Sequence, residues 1–171
     1  WQETAGIKKD TQARMIFPIL TVTDLGEMMV EVCGRFRWEM CRKIQGVRWN
    51  DITEASLTSE YSDYIQYYRK NHDLSADAKE KIKNALYKSK NNYREVFVKD
   101  YQSWIRYESK GSFRLNKVAR DIIFRYCPFN KSIRSELKAN PMYREMFEKY
   151  EILKDRKARH MVLWYDKYQK K

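Results

Sequence analysis

The sequence predicts an all-α protein, an irregular bundle of about six helices closed by a long C-terminal one. Three observations carry this. Apolar residues return at spacings of three and four along most of the chain, as they do on one face of a helix. Five glycines and three prolines in 171 residues leave few places for the tight turns of a β-sandwich. The breaks between apolar runs carry helix punctuation, with Ser, Asp or Asn ahead of a run and Gly behind it.

Taken in order, residues 1–22 are expected to form an extended lead-in arm and residues 23–171 a single helical domain. Met15 to Val22 is apolar but broken by Pro18, which a helix interior does not tolerate. It is either an arm packed on the helices or a join to an upstream domain. Trp1 stands where an initiator Met would, so the chain reads as processed or as a fragment. Thr23 or Asp24 caps the first helix, which runs to Gln45 with Gly46 just past its end. Leu25, Met29, Val32, Phe36, Met40 and Ile44 make its apolar stripe. Gly26 and Gly34 each weaken it by about 1 kcal/mol relative to Ala, so close approach of another backbone is expected there.

A second helix spans Asp51 to Asn71, capped near Asp51 or Ser56, with Leu57, Tyr61, Tyr64, Ile65 and Tyr68 on one face. Ser75 caps a third, reaching about Lys90, and Asn91-Asn92 turns the chain. Next comes a pair of helices dense in aromatic and basic residues. The first buries Tyr93, Val96, Phe97, Tyr101, Trp104 and Ile105, with Glu95 and Lys99 spaced as an i,i+4 ion pair. Gly111 sits where a left-handed cap belongs, and Ser112 is expected to cap the following helix. That helix buries Leu115, Val118, Ala119, Ile122, Ile123 and Tyr126 and ends before Pro128. Ser132 caps a short helix. Asn140-Pro141 opens the last one, whose roughly 28 residues would span about 42 Å and project at the far end.

The formal net charge of +12 bears on partners rather than fold and suits an anionic one. No apolar run approaches the roughly 18 residues of a membrane span, and Trp1 to Asp10 lacks the apolar core of a signal peptide. Cys33, Cys41 and Cys127 form no CxxC pair and read as reduced thiols of a cytoplasmic protein. His72 and His160 have no ligands at metal spacing, so neither a metal nor a cofactor is expected. Glu27 and Glu31 share a helix face as paired catalytic carboxylates would, but such pairs are commonly solvated. Neither GxSxG nor a Walker A loop is present, so nothing in the motifs marks an enzyme.

The candidate site is the junction at Gly111. Lys110, Arg114 and Lys117 crowd an expected helix start, where cations are unfavourable unless an anion joins them. Lys110, Ser112, Arg114, Lys117 and Arg120 are therefore expected to bind a phosphate or carboxylate, with backbone amides helping. The plainer alternative is a capped turn with solvated side chains. Read as a helix-turn-helix, the same segment would offer Arg114, Asn116, Lys117 and Arg120 to a DNA groove. A second basic patch is Lys154, Arg156, Lys157 and Arg159 in the last helix. The expectation is a non-enzymatic interaction module, part of something larger, whose partner is nucleic acid or an acidic protein. The alternative is an oligomerisation domain that binds protein through the C-terminal helix and its aromatics.

Overall fold

The computed structural model describes residues 24–169, and at 157, 158 and 160–169 it describes the helix backbone alone. The expected lead-in arm, residues 1–22, lies outside the described residues. Seven α-helices follow one another, with no strand among the described residues. They are α1 (Leu25–Gln45), α2 (Leu57–Tyr67), α3 (Ala76–Lys88), α4 (Tyr93–Arg106), α5 (Lys117–Tyr126), α6 (Lys131–Leu137) and α7 (Pro141–Gln169). The fold is all-α, as the periodicity predicts.

Local chemistry explains most of the boundaries. Asp24 accepts a hydrogen bond from the Glu27 amide at 2.7 Å and so caps α1, while Gly46 ends it at φ 59°. Ser75 caps α3 and Asn92 caps α4. Ser56 and Ser59 form a reciprocal capping box on α2: Ser56 Oγ accepts from the Ser59 amide, and Ser59 Oγ accepts from the Ser56 amide. Both serines are buried, so no water can replace the lost bond. Ser56→Ala is expected to cost about 1–2 kcal/mol, measured by urea denaturation.

Of the two caps expected for α2, Ser56 is the one used, and α6 starts from a different cap than expected. Asp51 caps only a short 3-10 turn, Ile52–Glu54, and Ala55 at φ 45° stops it before α2 begins. The short helix α6 is capped by Asn130, whose side chain accepts from the Ile133 amide at 3.0 Å, rather than by Ser132.

Helix α4 is the centre of the bundle, packed against α1, α2, α3 and α5. Its Trp104 is fully buried, stacks on Phe129 at 3.9 Å and meets the edge of Phe124 at 5.9 Å. The Trp104 indole donates to the Cys127 carbonyl at 3.1 Å, which satisfies its one polar atom. A second aromatic knot joins Trp38 to Phe97 at 5.3 Å and to Tyr61 at 6.0 Å.

That knot turns α1 away from its expected face. Leu25, Met29 and Ile44 are exposed, Ile44 by 75%, while Val32, Gly34, Trp38 and Glu39 are buried. Gly34 admits a ring rather than a backbone: a Cβ there would lie 3.0 Å from Cδ1 of Tyr101. Gly26 meets only the oxygen of its own cap, Asp24. Buried Glu39 receives Arg42 and Arg94, each at 2.8 Å. Glu95 pairs with Arg35 at 2.9 Å and Arg94 at 3.1 Å, not with Lys99. The carboxylates Glu27 and Glu31 are likewise taken by Arg106 and Arg35.

The last helix docks through Tyr143 and Phe147, both buried, and through Tyr150 against Phe124. From Ile152 onward every described side chain is exposed. Its 29 residues rise about 43 Å. Met161, Trp164 and Tyr168, which continue the three-and-four apolar spacing of Met142, Met146, Tyr150 and Leu153 in the sequence, lie outside the described side chains.

Candidate anion-binding site and adjoining cleft

Between α4 and α5 the chain makes a 3-10 turn, Glu108–Lys110, then an irregular link through 112–116 with a bend at Leu115. Gly111 is left-handed at φ 78°, as its position predicts. The helix after it, however, starts at Lys117 and not at Ser112. Asn116 is the cap, its side chain accepting from the Ala119 amide at 3.0 Å. The physical reason is Glu108. Its Oε1 accepts from the backbone amides of Arg114 and Leu115, both at 2.8 Å, and those amides are thereby committed outside a helix.

Glu108 is also fully buried. Its carboxylate takes both arms of Arg120, at 2.5 Å and 2.9 Å, and the Tyr143 hydroxyl at 3.3 Å. Arg120 lies over the Phe113 ring at 4.6 Å and donates to the Leu115 carbonyl at 2.6 Å. An anion does sit among these amides and cations, and the protein supplies it. Arg120 is thus a packed ion-pair partner with a side chain only 14% exposed, rather than an open ligand.

The other expected site residues lie on the surface of this link. Lys110, Ser112, Arg114 and Lys117 are all exposed. Arg114 rests its guanidinium 5.2 Å above the Tyr107 ring. Lys117 occupies the first turn of α5, while Lys110, Ser112 and Arg114 are not at a helix start. In the second patch Lys154 and Arg156 are exposed, Lys154 lies 3.7 Å from Glu151, and Arg159 folds back on the Asp155 carbonyl. The Lys157 side chain lies outside the described residues.

Beside the link opens a cleft of about 290 Å³ that the spacing of residues did not reveal. Helix α3 contributes Lys81, Ile82 and Ala85, α4 contributes Val96 and Asp100, α2 contributes Tyr64, and the link contributes Arg114, Leu115 and Asn116. Half-buried Asp100 accepts from the Tyr61 hydroxyl at 2.6 Å. Burial pushes its carboxyl up to about 6; the Tyr61 hydrogen bond opposes that rise and the nearby Glu108 charge adds to it. Burial likewise holds the Tyr61 and Tyr64 hydroxyls well above the usual range, so both remain protonated. A second hollow, about 410 Å³ between Trp38, Trp49 and Tyr93, has arginines on its wall, but Glu39 already engages Arg42 and Arg94.

Among the described residues no group of His, Cys, Asp and Glu is placed to hold a metal ion, and no helix is long and apolar enough to cross a membrane. No curated protein and no solved structure matches the chain. The junction and the cleft both fall within the stretch that a family model does match, whereas α1 precedes it. Over residues 46–171 that match is to Domain of unknown function (DUF8509), and the chain belongs to this family.

Proposed function

We propose that this chain is a non-enzymatic helical module that binds an anionic partner, nucleic-acid phosphate before acidic protein, through the exposed cations of the 110–117 link. One observation supports this above the rest. Arginines that face inward are spent on carboxylates, as Arg35, Arg94, Arg120 and Arg125 are. Lys110, Arg114 and Lys117 are exposed, gathered on one short segment, and form no ion pair among the described residues. The Glu145 carboxylate acts on Lys117 from α7 without forming an ion pair with it, and exposed cations outside ion pairs track a phosphate backbone and release its counterions on binding. The three cysteines are free, in keeping with a reducing, cytoplasmic setting.

The test is a titration of fluorescent single-stranded and duplex oligonucleotides at two salt concentrations. The double charge reversal R114E/K117E is expected to weaken binding about tenfold at low salt and to lower the salt slope by about two. Unchanged affinity and slope would reject the assignment. A second reading, a protein partner along α7, is favoured by the exposure of Ile152 and Leu153 beyond the bundle. Light scattering of the protein alone checks it, a concentration-dependent dimer being the supporting result.

A further inference from the structure

We propose that the cleft beside the link holds a guanine base, whose N1–H and 2-amino group donate to Asp100 while its phosphate lies against Arg114 and Lys81. The proposal rests on the nucleic-acid reading for the class of partner, and it adds which base is read and by what.

The residues lining the cleft leave several hydrogen-bonding positions unclaimed. Asp100 Oδ2 receives the Tyr61 hydroxyl, but Oδ1 makes no hydrogen bond among the described residues and belongs to a residue lining the cleft. An ionised carboxylate only accepts, so it needs donors from whatever enters. The Tyr64 oxygen accepts from Asn116 Nδ2 at 2.8 Å and keeps its own hydrogen to give. Asn116 Oδ1 is committed to the Ala119 amide, leaving the second amide hydrogen of its side chain. The floor therefore offers an acceptor together with two donors.

Guanine has the complementary edge, two adjacent N–H donors beside the O6 acceptor. Cytosine and adenine place a ring-nitrogen acceptor next to their amino group, which a carboxylate repels. Uracil sets its single N–H between two carbonyls. A simple amine would meet Asp100 but leave the Tyr64 and Asn116 donors unmatched. Ile82, Ala85, Val96 and Leu115 supply apolar surface for a flat ring, and the volume approaches the lower end of small-molecule sites. Both cations of the cleft are exposed: Arg114 forms no ion pair among the described residues, while Lys81 is shared with Asp77 at 2.9 Å, so a phosphate left outside meets Arg114 first.

Acidity acts through Asp100. The charged and titratable groups around it are Tyr61 and Tyr64 from α2, Asp77 and Lys81 from α3, Arg114 from the link and buried Glu108 from the 3-10 turn after α4. Base binding should therefore weaken as pH falls through about 6 and the carboxyl takes up its proton.

The experiment follows backbone amide NMR signals of the whole chain while GMP, AMP, CMP and UMP are titrated separately at pH 7. GMP is expected to shift Tyr64, Ile82, Ala85, Val96 and the 114–116 link saturably, with affinity about tenfold or more above the other three. D100N should erase the preference. Ala85→Phe, which fills the cleft, should remove GMP binding while salt-dependent strand binding persists; each variant's own spectrum reports whether it is folded. Absence of GMP shifts in the cleft, equal response to all four nucleotides, or an unaltered preference in folded D100N would overturn the base slot. Equal response to all four would leave the phosphate reading standing, whereas strand binding without salt dependence would remove that reading and not this one.

Discussion

Replacing Glu108 with Gln lowers the free energy of unfolding by about 3–5 kcal/mol, measured from urea denaturation midpoints. The substitution keeps the shape and one neutral acceptor for the Arg114 and Leu115 amides, which donate to the carboxylate at 2.8 Å. What it removes is the charge opposite Arg120. That guanidinium is 14% exposed, too little for water to replace its partner. The amide's NH2 group would also face an Arg120 nitrogen, donor against donor. Because Tyr143 donates to the Glu108 carbonyl at 2.8 Å and to its carboxylate, the damage should reach the docking of α7 as faster amide exchange around Tyr143 and Phe147. Pairing Glu108→Gln with Arg120→Met should recover most of the loss, since removing both charges is nearly neutral where removing one is not. A loss below about 1 kcal/mol would place the pair among ordinary surface bridges.

The junction also marks how far residues in line reveal a site. Gly111 and Pro141 are legible because their backbone chemistry is local: one accepts a positive φ, the other a first helical turn. The apolar periodicity recovers the helices for the same reason. The buried face of α1 is not legible, since Trp38, Gly34 and Glu39 acquire their meaning from Phe97, Tyr101 and Arg94, more than fifty positions away. Glu108 left one usable signal. It is the lone acid between Asp100 and Asp121, among Arg106, Lys110, Arg114, Lys117 and Arg120. Cations gathered at that density imply a counter-charge, and the nearest candidate was within the segment itself. Asp100 left no such trace, because four elements spread along the chain, α2, α3, α4 and the link, build its cleft.

Replacing Asp100 with Asn is expected to raise the free energy of unfolding at pH 7 by about 2–3 kcal/mol. In the unfolded chain this carboxyl titrates near 3.8, and in the fold burial raises it to about 6. Between those values the folded state holds a proton that the unfolded state has released, so stability falls as pH rises through the window. Above about 6 the whole cost of the buried charge is present, roughly 3 kcal/mol for a gap of this size. Asn carries no charge at any pH and retains an oxygen for the Tyr61 hydroxyl, which donates at 2.6 Å in the parent. The two proteins should therefore agree in stability near pH 4, diverge as pH rises from there to about 6, and keep a constant difference above it, with Asn the more stable. Equal or lower stability of D100N at pH 7 would instead make the carboxylate a structural anchor. An acid kept at neutral pH against such a gradient, in a cleft and with an oxygen still open to it, is better explained by what it binds than by what it holds together.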